Sequence, residues 1–128
     1  MADSLRYKDW LEKASRDIKS AKLLFDHNCG NDIVTFHCQQ AIEKSLKGYL
    51  LKHKNIVIEG HSLIYLCKES SNISSEFKIH LKNCAFVNQY YIETRYPADM
   101  PTIISDEDTD DCINIAGEIY DLVKSNLL

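Results

Sequence analysis

From about Ser4 to Asn28, apolar side chains return at Leu11, Ala14, Ile18, Ala21 and Phe25, steps of three and four that gather them into one stripe along a helix. Asn28-Cys29-Gly30-Asn31 ends that pattern. Asn31 or Asp32 can cap a second helix that runs to about His53 through Ile33, Val34, Phe36, Ala41, Ile42, Leu46, Tyr49 and Leu50. After a loop over residues 54–60, the pattern predicts a short helix from Ser62 to Glu69 and, past Ser70-Ser71-Asn72, a long one from about Ser74 to Arg95. Pro97 and Pro101 stop that helix. Ser105, with Asp108 three residues on, opens a last helix buried through Ile115, Ile119 and Leu122, with Ala116 and Val123 beside them. The expected fold is all-α, an up-and-down bundle of four long helices plus one short helix in a single domain spanning residues 1–128.

The polar positions carry more information than the apolar ones. Advancing about 100° per residue, the apolar side chains of the second helix cover well over half of its circumference, so it is expected to be the most buried. Its polar residues collect on the remaining arc: Gln40, Lys44 and Lys47, with Phe36 and Glu43 on one flank and His37 on the other. This arc reads either as a solvated edge with a Glu43–Lys47 pair or as one wall of a binding cleft. On the fourth helix Phe77, Leu81, Cys84, Ala85, Tyr91 and Ile92 form the expected core stripe, and Asn88 and Arg95 fall at its centre. A guanidinium there must reach solvent, pair, or face a cleft suited to phosphate or carboxylate. Ile79, Phe86 and Tyr90 make a second apolar line on the opposite side, a candidate dimer interface.

Composition narrows the function classes. The chain has 128 residues, 45% of them apolar, with only 4 glycines and 2 prolines, enough for a core and too few turn formers for a many-stranded β fold. The net charge is −4. Residues 1–60 carry 10 basic and 8 acidic side chains, residues 61–128 carry 5 and 11, so no overall basic field exists to drive bulk nucleic-acid binding. Five widely spaced cysteines without a CxxC pair read as reduced, mostly buried thiols of a cytoplasmic protein. No signal-peptide core or membrane-length apolar run is present. The acidic run from Asp106 to Asp111 sits at the positive end of the last helix. No phosphate-cradling glycine loop, HExxH, GxSxG or metal-spaced Cys/His set occurs, so neither a metal nor a cofactor is expected. Of the five histidines, His61 stands out because it opens the short helix after a loop.

The block Phe36-His37-Cys38-Gln39-Gln40-Ala41-Ile42-Glu43-Lys44-Ser45-Leu46-Lys47-Gly48-Tyr49-Leu50 resembles the HEPN family, named for higher eukaryotes and prokaryotes nucleotide-binding. The likeness extends through Tyr7, Trp10, Leu11 and Ala14, Gly60-His61-Ser62-Leu63, and Tyr91 with Arg95-Tyr96-Pro97. It implies a helical bundle, commonly a homodimer, often paired with a minimal nucleotidyltransferase in two-gene modules of toxin-antitoxin type. Many members are ribonucleases marked by an Arg with a His five to seven positions later. Here those positions hold Leu11, Glu12 and Lys13 after Arg6, Ala21, Lys22 and Leu23 after Arg16, and Met100, Pro101 and Thr102 after Arg95. The usual proton carrier is therefore missing. The expectation is a non-catalytic member that binds a nucleotide or nucleotide-bearing ligand, RNA included, through Gln40, Lys44, Lys47, His61, Asn88, Tyr91 and Arg95. A divergent ribonuclease using Arg95 with His61 or Tyr96, or a plain dimeric scaffold, are the alternatives.

Overall fold

The computed structural model describes residues 3–93 and 103–127. After a 3-10 turn at Ser4–Arg6, the helices are α1 (Tyr7–Asp26), α2 (Asn31–Lys54), α3 (Leu63–Ile73), α4 (Leu81–Asn88), α5 (Tyr90–Glu93) and α6 (Asp106–Leu127), with a second 3-10 stretch at Ser75–His80 before α4. No strand occurs among the described residues. The architecture is the expected all-α, up-and-down bundle. Helix α2 is its axis: it packs against α1 along most of its length and also touches α3, α4, α5 and α6. Val34, Cys38, Ala41, Ile42, Leu46, Tyr49 and Leu50 are all buried, which is why a helix with so weak an amphipathic contrast is stable here. Gly48 lets α1 approach closely, since a Cβ there would lie 3.1 Å from Trp10 Cβ and 3.3 Å from the Tyr7 carbonyl oxygen.

The caps explain where helices begin. Ser105 Oγ accepts from the Asp108 amide at 3.0 Å, as the sequence implied, and Ser62, expected as the first residue of the short helix, is instead its N-cap, with Oγ accepting from the Tyr65 amide at 3.2 Å. Helix α2 differs. Neither Asn31 nor Asp32 caps it; Gly30, at φ 116°, holds the N-cap position without a side-chain hydrogen bond. Asn31 instead donates to the Ile104 carbonyl (2.9 Å) and to Asp106 Oδ1 (2.8 Å), tying the start of α2 to the start of α6.

The expected long fourth helix is three shorter pieces: the 3-10 stretch, α4 and α5, with a turn at Gln89. A 3-10 backbone advances about 120° per residue and brings positions i and i+3 into line, so Phe77 and His80 are both buried. The buried face then continues through Cys84, Val87 and Tyr90. This rotation overturns two expectations. Ala85 is exposed rather than core. Tyr90 belongs to the core and not to an exposed strip, with its ring edge-on to Phe86 at 5.9 Å. Phe86 is itself half-buried against the core, whereas Ile79 is 77% exposed.

Candidate functional site

The polar arc of α2 is a hydrogen-bonded seam rather than a solvated edge. At its centre the Glu43 carboxylate is buried: Oε1 accepts from Gln39 Nε2 (3.2 Å) and meets His61 Nδ1 (2.9 Å), while Oε2 pairs with Lys47 Nζ (3.2 Å). The Glu43 and Lys47 side chains are only 6% and 8% exposed, so this i,i+4 pair lies inside the fold, where each charge depends on the other. Gln39 Nε2 also donates to the His61 carbonyl oxygen at 3.2 Å, and Gln40 donates to Gln39 Oε1 at 2.7 Å. Every buried side-chain polar atom among the described residues has a partner.

His61 is the outward end of this seam. Its side chain is 51% exposed and its ring stacks on Tyr91 at 5.0 Å with an interplanar angle of 21°. A proton on Nδ1 donates to Glu43, which fixes the ring's orientation and leaves Nε2 as the nitrogen available to a ligand. An open groove of about 270 Å³ lies here, lined by His61, Ser62, Asn88, Gln89 and Tyr91. Asn88 Oδ1 accepts from the Leu63 amide at 2.9 Å, so together with Ser62 it already satisfies part of the α3 N-terminus. The groups that line the groove are therefore side chains: the His61 imidazole, the Asn88 amide and the Tyr91 ring.

The structure divides the residues singled out from sequence. His61, Asn88 and Tyr91 come together in the groove, and Gln40 and Lys47 stand behind them in the seam, held by Gln39 and Glu43. Lys47 is thus an internal counter-charge to Glu43, not an available cation. Lys44 is engaged elsewhere: its ammonium pairs with Asp17 Oδ2 at 2.7 Å, and Asp17 Oδ1 meets His37 Nδ1 at 3.0 Å. Arg95 lies outside the described residues, as do Tyr96 and the side chain of Ile92. Gln39 and Asp17 were not singled out from sequence. Asp17 sits one residue from the buried Ile18 in the apolar stripe of α1, the only signal available. Gln39 is fully buried, and on the arc it falls on the far side of Glu43.

No group of three or more potential metal-ligating side chains occurs among the described residues, nor does any described helix have the length and apolarity to cross a membrane. A model of the HEPN domain matches residues 7–126. The chain belongs to the HEPN family. Two solved structures are similar to it over nearly their whole lengths. One is the crystal structure of TT1696 from Thermus thermophilus, 26% identical, covering 94% of this chain and 97% of that one with a TM-score of 0.78. The other is the crystal structure of ST0689, an archaeal HEPN homologue, 27% identical, covering 96% and 98% with a TM-score of 0.76. A comparison with curated proteins finds no match. Within this HEPN domain, the block from Phe36 to Leu50 that carries the resemblance is the stretch of α2 bearing both the core and the polar seam.

Proposed function

We propose that this HEPN protein is a non-catalytic binding module that holds a nucleotide, or the nucleotide portion of a larger ligand, in the groove at His61, Asn88 and Tyr91. The observation that carries this reading is the half-exposed His61 ring, oriented by a buried carboxylate on one side and stacked on an aromatic ring on the other. Carrying both protons, the imidazole donates one to Glu43 and offers the other to a phosphate oxygen. The Tyr91 ring gives the base a surface to stack on, and the Asn88 amide supplies a directional donor. Arg95, four positions past Tyr91 in sequence, suits a second phosphate contact through its planar fork. In this reading the protein pairs as a homodimer through Ile79 and Phe86 and works beside a minimal nucleotidyltransferase as the ligand-binding or toxin-like half of a cytoplasmic two-gene module.

Calorimetry on the whole chain with adenine and guanine nucleotides tests the proposal. Binding to wild type should weaken by roughly 10- to 150-fold in His61→Ala, the loss of about 1.5–3 kcal/mol expected for a hydrogen bond to a charged group. Absence of binding at millimolar ligand overturns it. Reproducible RNA cleavage that disappears in His61→Ala would replace it with a divergent ribonuclease using the His61–Glu43 pair.

A further inference from the structure

A second concavity, of about 450 Å³, lies where the start of α1 meets α2 and the loop after it, with Trp10, Leu51 and Val57 forming its apolar body and Arg6, Lys13 and Lys44 at its polar edge. It shares no lining residue with the groove at His61, and its size is in the range of small-ligand sites. The local sequence builds it. Gly48 lets the first turns of α1 lie close on α2. The Lys47 ammonium, bound to Glu43, stands 6.0 Å from the Trp10 ring centroid. These two contacts hold the indole against α2.

The charges around this pocket are unequally occupied. Its two acids are engaged: Asp3 Oδ1 accepts from the Leu5 amide at 3.0 Å, and Asp9 pairs with Arg6 at 3.1 Å. Lys44 is neutralised by Asp17. Lys13 has no hydrogen-bond or ion-pair partner among the described residues, and Asp3 keeps its negative charge on the same lining, so Lys13 is the pocket's one cation without a counter-ion, set beside a predominantly apolar space.

We propose that this pocket is a binding site for an aromatic monoanion, such as an aromatic carboxylate or sulfonate, with Trp10 stacking on the rings, Leu51 and Val57 enclosing them, and Lys13 pairing with the charge. A neutral aromatic would leave Lys13 unpaired, and a polyanion would meet Asp3 and Asp9.

Trp10 is the chain's sole tryptophan, which makes the site its own reporter. The full chain is titrated with 8-anilinonaphthalene-1-sulfonate while Trp10 alone is excited. The expected result is saturable, one-to-one quenching of Trp10 with matching sensitised emission from the probe. Lys13→Gln should weaken binding by about threefold, the scale of one exposed ion pair. Val57→Phe, at a half-exposed position, should fill the pocket and abolish transfer while circular dichroism stays native. The uncharged N-phenyl-1-naphthylamine should bind more weakly than the sulfonate. Absence of energy transfer from Trp10 at millimolar probe, or wild-type affinity in Val57→Phe, overturns the site. Equal affinity for the charged and uncharged probes, or no change in Lys13→Gln, overturns the anion.

Discussion

Helix α2 and the stretch from Ser75 to Glu93 face the same problem, polar side chains among core positions, and solve it in opposite ways. Helix α2 stays regular for 24 residues, so its polar side chains keep a constant angular position: Gln39, Gln40, Glu43 and Lys47 form one seam, bonding to one another and to His61, while Lys44 and His37 beside them share Asp17 of α1. The later stretch gives up regularity instead. It passes from 3-10 to α geometry and turns at Gln89, and each change rotates the side chains that follow. Tyr90 thereby enters the core, and Asn88 reaches the start of α3 as a cap. A regular helix concentrates polar groups into a network, whereas an interrupted one sends them to separate local tasks. The groove at His61 lies where the two solutions meet.

The largest effect expected from breaking this contrast is in the seam. Lys47→Met removes the ammonium that faces buried Glu43 and should destabilise the protein by about 3 kcal/mol, the low end for orphaning a buried ion-pair partner, because Gln39 and His61 still bond the carboxylate. Urea unfolding measures it. The double variant Glu43→Leu/Lys47→Leu should recover much of the loss, since an apolar pair of similar volume leaves no charge stranded. A loss under 1 kcal/mol in Lys47→Met would mean the seam is solvated after all.

Alkaline pH probes both regions at once. Burial, reinforced by Cys112 and Asp17, pushes the Cys38 thiol of α2 well above its ordinary value. The thiol of Cys84 in α4 is raised by its hydrogen bond with Cys67 and by burial. Cys112 is pushed up to about 12 by burial and by Asp108 and Asp111. The native state keeps these protons after the unfolded chain begins to release them. Stability is therefore fully present below pH 9.0, the ordinary thiol value, and falls above it, by about 1.4 kcal/mol per pH unit for each thiol ionised only in the unfolded chain. Urea midpoints between pH 7 and 11 should show a plateau and then a decline. A flat profile would mean these thiols are not buried as described.

Asn88→Ala removes one side-chain cap and should cost about 1 kcal/mol, less than any break in the seam. Asn88→Asp keeps the acceptor for the Leu63 amide and adds a charge suited to a helix N-terminus, so it should restore stability. Failure of Asp to rescue would show that Asn88 acts through its amide rather than its carbonyl oxygen.

The same contrast decides what could be read from the chain alone. Where a helix is regular, one angular rule holds: the core of α2, its polar arc and the Ser105 cap were all legible, and the family block lies on this helix. The rule fails after Phe77. Nothing in Ser-Glu-Phe-Lys-Ile-His announces a 3-10 backbone, so the projected faces drifted, placing Ala85 in the core and Tyr90 outside it. Asn31 shows a different limit, since its partners, Ile104 and Asp106, are more than seventy residues away. His61 was legible as unusual, but its link to Glu43 depends on how α3 is docked against α2.

The smallest stability effect is expected at Ile79, which the interrupted geometry leaves 77% exposed. Ile79→Asp should change unfolding free energy by no more than about 0.5 kcal/mol, as for exposed positions in general. If two copies meet through Ile79 and Phe86, the same substitution places a charge in that contact, and sedimentation should show monomers at a concentration where wild type is dimeric. Phe86→Asp should add a fold penalty, because Phe86 is half-buried against the core. The pair of variants therefore separates two roles that the sequence assigned to one strip. A dimer that survives Ile79→Asp unchanged would remove this face from the interface and leave Ile79 as an ordinary exposed side chain.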